Sequence, residues 1–258
     1  MYTVIRRFKQ YGFLFSELVK RDFKKKYKRT FLGMLWSLLS PLLTLLIMRI
    51  IFTRFFGEQI EHYTIYLFCG NIIFSFFSDA TGAGMVGLME NADVFTTVNV
   101  PKYLFVLSKN VSSLINFSLT FLVFLLFCAI DRVQLSATFL LLPYPIICLI
   151  IFNVGTGLLL SALFVYFRDV QYLWGVFITM LTYVSAIFYT IDGYAEWVQR
   201  LFLFNPVYVY IKYFRLAVLN ATVPSPEFHL LAAFYALFAL FLGCLIYRLN
   251  TNKFVYYV

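Results

Sequence analysis

Apolar residues fall into six long runs along this chain, with the polar and charged residues between them. The runs cover about 31–52, 63–78, 104–130, 139–164, 172–191 and 228–247. Each approaches or exceeds the ~20 residues that a helix needs to cross a ~30 Å hydrocarbon core. They predict six transmembrane helices. The second run is short before Asp79, but it can continue as a kinked helix through the small residues of ATGAGMVG, 80–87.

Ahead of the first run, Val4, Phe8, Tyr11, Phe15 and Leu18 recur at spacings of 4, 3, 4 and 3. That is one apolar face of a helix, flanked by Arg6, Arg7, Lys9 and Lys20. It predicts an amphipathic helix lying in the membrane interface. Between the fifth and sixth runs stands YAEWVQRLFLFNPVYVYIKYFRLAVL, 194–219, rich in aromatics and interrupted by Asn205-Pro206. Two helices meeting at that proline are each too short to span. They read as a re-entrant pair buried against protein, or as an amphipathic hairpin on the surface. The expectation is an all-α integral membrane domain over 1–258: a basic amphipathic segment 1–30, six spans within 31–247 and a tail 248–258.

Composition supports this. The chain is 62% hydrophobic and only 13% charged, where soluble domains carry about 25% charge. A soluble fold of this length could not hide so much apolar surface. The net charge of +9 fits either nucleic acid or an anionic membrane, and position decides: ten of the 21 Lys and Arg precede Phe31. Lipid is therefore the expected partner, and nucleic acid is not. With the N-terminus inside, Lys102, Lys109, Arg168, Arg248 and Lys253 join those ten, against Arg54, Arg132, Arg200, Lys212 and Arg215 outside. The positive-inside rule then places both termini in the cytoplasm. Arg49 sits about 27 Å above Phe31 at 1.5 Å per residue, near the outer interface, where it can snorkel.

Catalytic patterns do not emerge. There is no GxxxxGK[ST] phosphate loop, no HExxH, no GxSxG and no DxD pair, and the twelve acids are scattered. The chain is not expected to hydrolyse nucleotide itself. Cys69, Cys128, Cys148 and Cys244 all lie in apolar runs without CxxC spacing and read as small buried hydrophobes. His62 and His229 have no ligand cluster near them, so no metal site is expected. A cleavable signal peptide is not expected either, because the first apolar run begins after thirty residues and is too long.

Polar stripes mark three of the runs. Lys109, Ser113, Asn116 and Thr120 share one helix face; so do Ser37, Ser40 and Thr44, and so do Asn153, Gly157 and Ser161. Such stripes serve either as helix–helix contacts or as the wall of a conduit. Trp36, Tyr183, Phe188 and Tyr189 are, by depth, candidates to stack on sugar rings. The same residues serve equally as core or as an interfacial belt.

Four stretches together carry a family resemblance. RDFKKKYKRTFLGMLWSLLSPLL, ENADVFTTVNVPKYLFVLS, YFRDVQYL and FNPVYVYIKYFRLAVL occur in this order and cover nearly the whole chain. They resemble the membrane subunits of ABC-2-type polysaccharide exporters, which serve O-antigen, teichoic acid and capsule export. The resemblance implies a homodimer in the cytoplasmic (inner) membrane, docked on two separate ATPase subunits that bind ATP and Mg. This chain would then bind no cofactor of its own. It further implies a coupling helix carrying Glu90, Asn91, Asp93, Val94 and Phe95, with a second ATPase contact at Arg168 and Asp169. Asn205 and Pro206 would belong to an outer gate. The implied cargo is a long glycan on a polyprenyl pyrophosphate. Lys24, Lys25, Lys26, Lys28 and Arg29 become candidates to attract the pyrophosphate and lipid headgroups. Trp36, Ser40, Thr44, Tyr183, Phe188 and Tyr189 become candidate conduit residues. The competing classes are a small-molecule ABC-2 exporter, a membrane enzyme acting on a lipid-linked sugar, and a passive channel. The enzyme would need paired acids that the sequence hardly offers.

Overall fold

The structure is a computed structural model that describes residues 2–27, 32–56, 60–98, 100–134, 136–251, 253–254 and 257. Among them there are helices and no strands. In chain order the helices are α1 (Tyr2–Tyr27), α2 (Trp36–Phe56), α3 (Tyr63–Gly87), α4 (Ala92–Thr97) and α5 (Tyr103–Ile130). They continue with α6 (Pro143–Tyr166), α7 (Val170–Val184), α8 (Glu196–Phe202), α9 (Pro206–Val218) and α10 (Pro226–Asn250). Four stretches are long and apolar enough to cross a membrane, and five are if α3 and its bent continuation make one span. The described part is therefore a multi-pass helical bundle.

Two sequence expectations change in detail. α3 runs unbroken through Gly82 and Gly84; the bend, 46°, comes only where it meets Met89–Thr97. The fifth run does not form one long helix, because α7 stops at Val184 after 15 residues. That is about 22 Å at 1.5 Å per residue, short of a full crossing. Residues 185–195 continue as irregular backbone, with Ala186 at φ 50° in the left-handed region usually left to glycine.

Irregular backbone among apolar surroundings needs partners for its carbonyls. Here side chains provide them. Asn205 Nδ2 donates to the Val184 carbonyl (3.3 Å), and Arg215 donates to those of Ala186 and Ile187 (2.8 Å each). Tyr63 and Tyr66 hydroxyls donate to the carbonyls of Phe188 (2.8 Å) and Tyr189 (2.6 Å). Asn205 also caps α9, accepting from the Val207 and Tyr208 amides, and Pro206 sits in the first turn where no amide is needed. The two short helices expected around Asn205-Pro206 are thus α8 and α9. They differ sharply: α9 is buried along most of its length, and α8 has no buried residue.

α3 forms the centre, buried along nearly its whole length against α5, α6 and α9. α6 and α10 approach most closely. A Cβ on Gly155 would collide with the Ala239 and Leu240 backbone, and one on Gly243 with the Gly155 backbone. The stripe Asn153, Gly157 and Ser161 is buried on a different face of α6, where Gly157 faces Gly84 of α3 and Val106 of α5. It is a helix contact. Of the four membrane-length apolar stretches α2 is the least embedded, with only Ser37 and Leu45 buried among its described side chains and with Arg49 exposed. α1 is longer than the amphipathic stretch read from sequence and carries part of the basic run as helix.

Candidate functional site

α1, α4, the α6–α7 turn and the last turns of α10 gather at one end of the bundle, here called the basic end. α1 packs on α5 through Leu18, which is buried. One turn on, Asp22 continues the same face and is buried too. A carboxylate there needs a cation, and Lys109 of α5 supplies it, with Nζ 3.4 Å from Asp22 Oδ2. The same Nζ lies 2.8 Å from Glu90 Oε2 in the turn after α3. Arg21 Nη2 donates to Asp22 Oδ1 (3.0 Å) and to Asn91 Oδ1 (2.6 Å), and Asn91 Nδ2 donates to the Gly87 carbonyl (2.7 Å). Lys25 Nζ stands 3.9 Å from Glu90. Gly87 makes room for this: a Cβ there would lie 2.8 Å from Lys109 Cγ. Burial opposes ionisation of Glu90, but the hydrogen bond and charge of Lys109, with Lys25 and Arg21, outweigh it and hold its carboxyl below the usual range.

These contacts join three elements, α1, the Glu90–Asn91 turn and α5. Farther along α4, Phe95 is buried beside Phe105, and Lys102 stands over its ring at 5.7 Å. Lys102 also donates to the Thr251 carbonyl, and burial pushes its ammonium pKa down. Asp93 is exposed and Val94 half-buried. Arg168 and Asp169 are exposed in the α6–α7 turn, with Arg168 over the Phe164 ring at 5.5 Å.

Above the joint runs a polar groove between α2, α3 and α5. Its lower part, about 400 Å³, is lined by Asp22, Lys25, Asp79, Glu90, Lys109 and Asn116, among others. Its upper part, about 500 Å³, adds Trp36, Ser40, Thr44, Asn71, Ser75 and Thr120. Asp79, Ser113 and Asn116 line both parts, so the space is continuous. Two of the three sequence stripes therefore face a cavity.

The sequence candidates divide accordingly. Trp36, Ser40 and Thr44 line the groove. Tyr183 is exposed on α7, Phe188 is buried and stacked on Phe52 at 4.5 Å, and Tyr189 donates to the Tyr183 carbonyl. These three do not line the groove. Lys24 and Lys25 are exposed on α1; the Lys26 side chain, and Lys28 and Arg29 altogether, lie outside the described residues. Asp22, Asp79 and Arg215 were not read as special from sequence. Asp22 had a signal, because it falls four residues after Leu18 on the apolar face. Among the described residues no group of three or more His, Cys, Asp or Glu is placed to hold a metal ion.

A bundle of membrane-length apolar helices with a polar groove and a charged joint at one end has the make-up of a membrane permease. The profile of the ABC-2 type transporter family matches residues 14–219, and the chain belongs to that family. It is similar to the O-antigen export system permease protein RfbA of Myxococcus xanthus, 27% identical over 192 residues and 74% of each chain. It is equally similar, 27% over 216 residues, to RfbA of Klebsiella pneumoniae, covering 82% of this chain and 83% of that one.

Proposed function

We propose that the chain is the membrane subunit of an exporter that carries a polyprenyl-pyrophosphate-linked polysaccharide of the O-antigen kind out across the cytoplasmic membrane. The likeness to two O-antigen export permeases over 74% and 82% of the chain carries this reading. The protein works as a homodimer with two separate ATPase subunits, which bind ATP and Mg. The basic end faces the cytoplasm, both termini included. α1 lies in the inner interface, and six segments cross, α7 completing its passage through the irregular stretch after it.

The geometry supports a route for force. Glu90, Asn91, Asp93, Val94 and Phe95 offer the ATPase a short helix tied to the bundle by Lys109 and Arg21, and Arg168 and Asp169 offer a second contact. Closure of the ATPases on ATP pushes this helix, and the two protomers part along α2 and α7. Lys24 to Arg29 attract the pyrophosphate and lipid headgroups at the inner surface. Asn205 and Pro206 belong to the gate on the outer side.

The protein, gently extracted from its host, is expected to bring a stoichiometric ATPase with it. Hydrolysis or its coupling to export should be lost on replacing Glu90–Phe95 with a glycine-serine run. A chain recovered alone from several detergents, without ATPase, overturns the reading.

A further inference from the structure

We propose that each protomer holds its own sugar-docking groove between α2, α3 and α5, which takes the hydroxyls of an uncharged glycan and turns phosphate away. The proposal rests on the glycan-export reading and adds where, and by what chemistry, sugar is held.

Space comes first. The continuous cavity holds about 500 and 400 Å³ in its two parts, the size range of small-molecule sites, ≈ 300–1,000 Å³. From Lys109 to Thr120 it follows α5 for about 16 Å at 1.5 Å per residue. An acyl chain would be a poor occupant, because the lining is dense in hydroxyl, amide and carboxylate groups that apolar contact would leave unsolvated.

The orientation of those groups is more informative. Thr44 Oγ1 donates its hydrogen to the Ser40 carbonyl (3.0 Å), and Thr120 Oγ1 donates to the Asn116 carbonyl (3.1 Å). Ser75 Oγ donates to Asn71 Oδ1 at 3.5 Å. With these protons turned back onto their own helices, the hydroxyls present lone pairs to the groove. Asp79 adds a carboxylate to the lining. At the mouth, buried Asp22 Oδ2 accepts no hydrogen bond among the described residues and faces the Lys109 charge at 3.4 Å. The wall is thus rich in acceptors.

A sugar hydroxyl is a donor and fits such a wall. A phosphate is all acceptor and carries charge, and it meets lone pairs here, with the cations at Asp22 and Glu90 already engaged. Of the two described ammonium groups in the lower part, Lys109 is already held between Asp22 and Glu90, and exposed Lys25 stands at 3.9 Å from Glu90. Trp36, 40% exposed, supplies a ring for the CH side of a pyranose, and buried Phe76 and Phe117, packed on each other at 4.6 Å, add apolar lining. Many weak, similar contacts let a chain dock and slide without one fixed register. The phosphate end of the cargo is left outside, at the basic surface of α1.

Thiol protection in the full-length protein, reconstituted with whatever ATPase it carries, tests this. In a Cys244→Ser background, Ser113→Cys and, separately, Ser40→Cys are treated with a water-soluble maleimide. Both thiols are expected to react. Maltotriose or mannotriose should slow them several-fold, while glucose 1-phosphate at equal concentration should not. Val176→Cys on the exposed face of α7 should respond to neither sugar. The near-isosteric pair Thr44→Val and Thr120→Val should abolish the protection and leave the thiols reactive. Unreactive thiols at both positions overturn the proposal, since lipid or protein then fills the groove. Equal slowing by sugar and sugar phosphate, or slowing by neither, overturns it as well. Because the readout needs neither transport nor ATP, a missing ATPase sinks the exporter reading but leaves this result standing. An active ATPase without sugar protection sinks only the groove.

Discussion

The two ends of the bundle are held together by opposite means. At the basic end, Arg21, Asp22, Lys25, Glu90 and Lys109 from three elements share one network of charges, part of it exposed. At the opposite end, Arg215 is 7% exposed and is met by neutral groups: the carbonyls of Tyr66, Ala186 and Ile187, and the face of the Tyr66 ring at 3.4 Å. Exposed ion pairs are individually weak and exchange partners at little cost. A buried guanidinium with several fixed acceptors cannot let go without leaving carbonyls stranded. The outer contact of the basic end, Lys25 to Glu90, can therefore exchange, while the buried Asp22–Lys109 pair and the Arg215 contacts that tie α9 to the stretch after α7 are fixed.

The sharpest way to break this comparison is Arg215→Met. It strands three buried carbonyl groups and should destabilise by about 3 kcal/mol or more, seen as loss of monodisperse protein in detergent. Arg215→Lys should rescue poorly, because one ammonium cannot reach all three. Next comes Lys109→Met, which leaves buried Asp22 with Arg21 as its remaining cation and should cost about 2–3 kcal/mol in thermal melting, less than Arg215 because this network has that second cation. Adding Asp22→Asn should recover part of the loss; no recovery would mean that the pair is not coupled. Gly70→Ala is milder. Its Cβ would lie 2.8 Å from Arg215 Nη2, and about 1–2 kcal/mol is expected as the side chain shifts.

The smallest effect belongs to Glu90. Its carboxyl is held below the ordinary range, so its contribution is present above the unfolded Glu value of ≈ 4.3 and fades as pH falls through the lower folded one. With the side chain 39% exposed, solvent screening keeps this below about 1 kcal/mol. Melting at pH 7 and near pH 4 should show a small acid-induced loss that Glu90→Gln removes. High salt should weaken the basic end in the same sense and leave the Arg215 contacts unmoved.

Apolar runs announced most of the bundle because membrane burial demands a length and a composition that any reader can count. Helix α9 was legible through Asn205-Pro206, which carries its cap and its first turn in adjacent letters. The early stop of α7 was not. Residues 185–191 are as apolar as the helix before them, and what ends it is a set of partners from Tyr63, Tyr66, Asn205 and Arg215, distant in sequence. The groove was half legible. Two stripes pointed to it, yet the same spacing on α6 proved to be packing, and only the placement of three helices separates a wall from a seam. The joint at Glu90 needed Lys109, nineteen residues on, to become visible.

The glycine interlock of α6 and α10 sets a mechanical limit. Backbones in direct contact at Gly155 and Gly243 can neither slide nor roll past each other without a clash. The pair behaves as a stator. Displacement has to be taken up elsewhere, and α2, with only Ser37 and Leu45 buried among its described side chains, is the membrane-length helix least fastened to that frame.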